Sequence, residues 1–104
     1  MAWIMLFLAG LLEILWAWAM KLSNGFTQPV YTGVMVVGMV GSFALLSPSM
    51  KVLPLGTAYM VWTGIGAVGA FVVGWAVLGE AVTPMRLVAA VLIVAGLVLM
   101  KIAS

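Results

Sequence analysis

The stretch Ala9-Gly-Leu-Leu-Glu-Ile-Leu-Trp-Ala-Trp-Ala-Met20 carries no polar side chain except Glu13 and two indole N–H groups. Read outward, it belongs to an apolar run from about Trp3 to Lys21. A spanning helix needs about 20 mostly apolar residues, and this run has them. Glu13 is the one acidic residue inside any long apolar run of the chain. Placing an ionised carboxylate at mid-bilayer costs at least ~2.5–3.5 kcal/mol, so something must offset it. The first reading is a site for an ion, a proton or a charged substrate. The alternative is a glutamate that pairs with a polar neighbour and fixes helix packing. No second intramembrane charge stands ready as its fixed partner.

Composition agrees. Of 104 residues, 67% are hydrophobic and 6% charged, whereas a soluble domain carries about 25% charged residues. The whole chain, 1–104, therefore reads as one all-α integral membrane domain. Without cysteine, disulfides and thiolate metal sites are excluded; without histidine, the usual proton shuttle and commonest metal ligand are too. Neither a metal nor a cofactor is expected. The net charge of +2 comes from scattered basic residues, which is no nucleic-acid footprint. Ala17-Trp18-Ala19 loosely resembles a signal-peptide cleavage site, but no Lys or Arg precedes the apolar core and Glu13 interrupts it, so retention is expected.

Three further apolar runs follow, at about 29–50, 55–78 and 84–101. Ser23-Asn24-Gly25 makes a polar turn. Pro48 is expected to bend the second helix or end it early. The short turn Lys51-Val-Leu-Pro54 suggests that helices 2 and 3 are antiparallel neighbours. Thr83 is a plausible N-cap, with Pro84 at the first helical position. Four helices put both termini on one side. Lys51 and Lys101 then lie on the termini side, and Lys21 and Arg86 on the other, two against two. The Lys/Arg rule chooses no orientation. A noisy count from few charges is one explanation; insertion of copies both ways up is the other. Two opposite copies would build the inverted repeat that single-chain transporters encode internally. Four short helices hardly enclose a path alone, so a dimer is expected.

The residues able to do chemistry are few. Glu13 and Trp16, three apart, share a helix face, as do Tyr59 and Trp62. Ser42 is the main polar residue well inside helix 2, and Thr63 could bond back to its own helix. If these faces converge, an anion with aromatic walls suits an organic cation. A planar guanidinium suits it further, because its N–H fork meets a carboxylate in two parallel bonds. Against this, Ser42 could simply allow close helix contact. Trp3, Trp18 and Trp75 read as interfacial anchors or lipid-facing. Glu80 and Arg86 read as solvated loop charges, and Lys21 and Lys101 as snorkelling. In helix 3, Gly64-Ile-Gly66-Ala-Val-Gly69 offers either a hinge or a packing seam. In helix 4, Ala89 and Gly96 lie seven apart on one face, a small-residue stripe suited to a helix–helix interface.

From end to end the chain resembles the small multidrug resistance family of dual-topology exporters. The resemblance rests on the four-helix length, the lone glutamate of helix 1, Lys21 with Asn24-Gly25-Phe26-Thr27, Leu53-Pro54-Leu-Gly56-Thr57-Ala58-Tyr59 and Val61-Trp62-Thr63-Gly64-Ile-Gly66-Ala67. Glu13-Ile-Leu-Trp16 and Trp62-Thr63-Gly64, with Ser42 in support, resemble its guanidinium-exporting subtype. By that resemblance, Glu13 would bind cation and proton alternately, inside a hydrogen-bonded surround of Trp16, Ser42, Tyr59 and Trp62. Gly64 and Gly66 would form the hinge, and helix 4 the main dimer contact. Ser47-Pro48-Ser49 departs from the expected plain helix.

The expectation is an antiparallel, dual-topology homodimer in membrane lipid, the inner membrane of a bacterium, exchanging guanidinium or a small substituted guanidinium for protons. The nearest rival is a broader exporter of quaternary ammonium and aromatic cations, which bind by cation–π contact and shape. Trp16 beside Glu13 narrows the pocket against large polyaromatic compounds. A non-transporting membrane subunit and a cation channel are the rivals from other classes.

Overall fold

A computed structural model describes residues 1–103. They form four helices: α1 (Ala2–Leu22), α2 (Pro29–Ser49), α3 (Leu55–Ala76) and α4 (Pro84–Ala103). Each has 20 to 22 residues. At 1.5 Å rise per residue that is roughly 30–33 Å, the thickness of a hydrocarbon core. All four are long and apolar enough to cross a membrane.

The helix ends follow local chemistry. After α1, Asn24, Gly25 and Phe26 all have positive φ. Glycine and asparagine tolerate that region; Phe26 is the strained member. The buried Ser23 secures the turn: its Oγ donates to Met20 O at 2.6 Å and accepts from Phe26 N–H at 3.2 Å. Pro29 opens α2, where a missing N–H costs nothing. Of the two outcomes expected at Pro48, a bend or an early end, the early end does not occur; the helix runs through it to Ser49. In the last turn proline forfeits a single ladder bond, and Met50 N–H still reaches Leu46 O. Helix α3 stops at Ala76, two residues before the sequence expectation. Leu78 N–H reaches back to Val73 O, Glu80 N–H to Gly74 O, and Gly79 takes φ +72° to leave the helix. Thr83 caps α4, its Oγ1 accepting from Arg86 N–H at 3.2 Å.

Alternating helix direction puts Lys21 and Arg86 at one end of the molecule, and Lys51 and Lys101 at the other. Helix α1 packs against both α2 and α3, while α4 packs its backbone against α3 alone. Helices α2 and α3 are not the side-by-side neighbours that their short turn suggested. Their backbones scarcely approach, because α1 occupies the gap. The result is a thin slab of 40 × 35 × 16 Å. Its buried core is Leu6, Ala9, Leu46, Ala58, Val61 and Trp62, contributed by α1, α2 and α3. No residue of α4 is buried.

Candidate functional site: a membrane-embedded carboxylate

Glycines decide how α1 meets its neighbours. A methyl built on Gly38 of α2 would come within 3.2 Å of Trp16 Cβ, and one on Gly41 within 3.2 Å of Leu12 Cδ1. On the other side, a methyl on Gly69 of α3 would overlap the Ile14 side chain, and one on Gly66 would overlap the Glu13 carboxylate. In return, Ile65 of α3 fills the space over Gly10, 2.6 Å from where a methyl there would sit. Close approach through missing side chains is how apolar helices gain contact in lipid, where water no longer drives them together. Glu13 is thus carried at the centre of the α1–α3 seam.

The carboxylate is half-buried, and its Oε1 is fully covered with no hydrogen-bond partner among the described residues. Trp16, three residues on, is half-buried as well, and its Nε1 is likewise covered and unpartnered. An unpartnered buried acceptor or donor forfeits about 1–3 kcal/mol, more for a charged group. Such atoms lie where a ligand, a proton or a second chain can satisfy them.

A second group of residues does close on itself. Ser42 is fully buried; its Oγ donates to Ala9 O at 2.7 Å and accepts from Trp62 Nε1 at 2.9 Å. One hydroxyl so joins the backbone of α1 to side chains of α2 and α3. Trp62 is 8% exposed, which separates it from the interfacial tryptophans. Tyr59 stands beside it, ring centroids 5.7 Å apart, with its own ring half exposed. Phe43 packs the ring from α2 at 5.8 Å.

The structure therefore brings Ser42, Tyr59 and Trp62 together and leaves Glu13 and Trp16 one turn further along α1, with no hydrogen bond between the two groups among the described residues. The closed hydrogen-bonded surround implied by resemblance is half made within one chain. Gly64 and Gly66, two apart on α3, face opposite ways: a methyl on Gly64 would meet Leu97 of α4 at 2.5 Å, whereas Gly66 faces Glu13 of α1. Ala89 lines a groove of about 190 Å³ with Ala67, Phe71 and Arg86 between α3 and α4. Gly96 lies open, with nothing within 4 Å of an added methyl. Trp75 is exposed, as expected; Trp18 is half-buried with its Nε1 covered, so it does not simply face lipid. Sequence reasoning missed Phe43 and Gly38. The available signal was position: Phe43 adjoins Ser42, and Gly38 lies one turn before it.

Comparison with known proteins defines the class. The family model described as Small Multidrug Resistance protein matches residues 1–102. The chain belongs to that family, and is a multi-pass membrane protein. Curated relatives named "Guanidinium exporter" include one from Escherichia coli K12, 49% identical over 104 residues, and one from Citrobacter freundii, 48% identical over 104 residues. Each alignment covers 100% of this chain and 99% of the relative. Those relatives are named as transporters, not enzymes.

Proposed function

We propose that this protein exports guanidinium from the cytoplasm in exchange for protons, as an antiparallel homodimer in the bacterial inner membrane, with Glu13 as the group both ligands share. The observation that carries the reading is the covered, unpartnered Oε1 of the lone carboxylate within a span. A guanidinium is all donors, in a planar fork matched to carboxylate oxygens. A proton satisfies the same oxygens. One carboxylate cannot serve both at full strength, and that competition is all exchange requires. The full-length similarity to proteins named guanidinium exporters supports this cation over others. In this reading Trp16, Tyr59 and Trp62 wall the pocket, and Ser42 fixes the Trp62 indole.

The dimer follows from what one chain lacks. A slab 16 Å thick encloses no path, and α4, packed on α3 alone, buries none of its residues. A second copy laid against α4 would cover it, with Ala89 and Gly96 at the contact. The two-against-two placement of Lys and Arg favours neither insertion, so both orientations would coexist.

Purified protein in liposomes tests the exchange. With the liposome interior acidified, wild type should take up guanidinium against its own gradient as protons flow out, and Glu13→Gln should abolish this uptake, by at least 100-fold, while remaining folded. Retained coupled uptake in Glu13→Gln removes Glu13 from the mechanism. Including quaternary ammonium ions in the same panel decides the broader reading, which the exposed Tyr59 ring beside Trp62 favours; transport of tetraalkylammonium at the guanidinium rate would establish it. For the dimer, one Lys added near Ser23, or one after Lys101, should bias insertion in opposite senses. Each variant alone should lose guanidinium resistance in a sensitised strain, and co-expression should restore it. Full activity of either alone, with orientation verified by labelling, would reject the antiparallel pair.

A further inference from the structure

Gly66 is placed by resemblance as half of a hinge, yet its contact belongs to the carboxylate. An added methyl there would overlap Glu13 Oε1 and Cδ, and lie 2.9 Å from Cγ. Among the described residues, no other glycine is filled by Glu13. The neighbouring notches are filled by branched apolar side chains, Ile65 over Gly10 and Ile14 over Gly69. These stiff side chains pin the α1–α3 register on either side of Glu13. The glutamate is the one flexible, charged side chain seated in that row. We propose that Gly66 is a positioning residue for the Glu13 carboxylate: the space left by its missing side chain is the cup that holds one carboxylate oxygen against α3.

Two consequences separate a cup from a hinge. First, a methyl at Gly66 meets the far end of a flexible side chain, so the fold survives while the carboxylate moves. Second, the carboxylate is carried by α3 as well as by α1. Helix α3 is held from its other side by Leu97 at Gly64. Any rotation of α3 between α1 and α4 then displaces the cup and the carboxylate together. This inference rests on Glu13 being the ligand-binding group, but the cup itself can be tested without transport.

The chain has two acidic side chains, Glu13 and Glu80. In a Glu80→Gln background, carboxyl-labelled glutamate therefore reports Glu13 alone by carbon-13 NMR. Gly66→Ala should shift that resonance and its titration midpoint. Gly33→Ala, where the methyl meets open space, should leave both in place. An unmoved resonance in Gly66→Ala overturns the cup. The second readout is a double-mutant cycle on guanidinium affinity. Glu13→Asp withdraws the carboxylate by about 1.5 Å, one carbon–carbon bond. Gly66→Ala should weaken binding at least tenfold with Glu13 present, and less than threefold beside Asp. Equal losses in both backgrounds would assign Gly66 to the hinge alone. The resonance readout decides the matter even where Glu13→Asp alone binds too weakly to measure. Loss of the cup would leave the proposed exchange standing, since that falls only with Glu13→Gln.

Discussion

Helices α1 and α4 are similarly long and similarly apolar, yet they sit in opposite surroundings. Helix α1 is flanked on both sides and buries Leu6, Ala9, Gly10 and Ala19; α4 buries nothing. The difference is in how their glycines are used. Gly10 of α1, and Gly38, Gly41, Gly66 and Gly69 facing it, are each filled by a side chain across a seam. Gly96 of α4 is filled by nothing. Apolar composition thus decides that a helix enters the membrane and is silent about what it packs on. Filled notches mark contacts made within one chain. Unfilled small residues mark a face whose contact, in the proposed dimer, lies in another.

The largest effect expected belongs to the α1 side, because it alone holds an acid within a span. Cation affinity should fall as pH falls, since the carboxylate binds a cation only when ionised and each bound proton removes it. Below the midpoint of a single carboxylate, each pH unit should cost about tenfold in affinity, by the proportionality between a tenfold ratio and 1.4 kcal/mol. Isothermal titration with guanidinium from pH 9 to pH 6 measures it. A flat profile would break the competition on which the exchange rests, and with it the functional contrast between the two helices.

The second test sets a filled notch against an open one. Gly69→Ala forces a methyl onto Ile14, a branched side chain with little room to give, and should destabilise the fold by about 1–3 kcal/mol in detergent-titrated unfolding. Gly96→Leu adds bulk to open space and should leave the single chain's helicity untouched, while raising the monomer–dimer dissociation constant at least tenfold in liposomes. Equal unfolding penalties for both would mean that the Gly96 face of α4 is packed within the chain after all. An unchanged dimer constant for Gly96→Leu would move the interface off this face.

Much of this is legible in the sequence alone. Four apolar runs separated by turn residues predict the four helices, and a lone acid in one of them points to the candidate site. Ser42 and Trp62 each stand out in the sequence, but their bond does not, because neither spacing nor composition relates positions on different helices. The same limit hid the pairing of Gly66 with Glu13 and of Gly69 with Ile14. Helix α3 carries several glycines along its length, so more than one register against α1 satisfies the pattern. Only the filled notches choose. The misplaced neighbour relation of α2 and α3 has a related cause. A short turn constrains two helix ends and leaves the far ends free, and α1 enters between them. The early end of α3 turned on Gly79 taking a left-handed φ, which an apolar run through Leu78 conceals.

The smallest effect expected sits where the two contrasted helices touch. Lys101 of α4 holds its Nζ 4.3 Å from the centroid of the Trp3 ring of α1, so this lysine does more than snorkel to the interface. An exposed cation–π contact contributes about 0.5–1 kcal/mol. Lys101→Met would remove it, but would also change the Lys/Arg balance from two against two to one against two, confusing packing with orientation. Trp3→Leu removes the ring and keeps every charge, so it isolates the contact. Hydrogen exchange in the last turn of α4, residues 98–102, should quicken two- to fivefold in Trp3→Leu, the factor that 0.5–1 kcal/mol implies at an RT of about 0.59 kcal/mol. Lys101→Met should show the same quickening and, in addition, a shifted population of insertion orientations. If Trp3→Leu leaves that exchange unchanged, the ring adds nothing to the hold on α4, and the notch at Gly64 filled by Leu97 is what keeps that helix on its own chain.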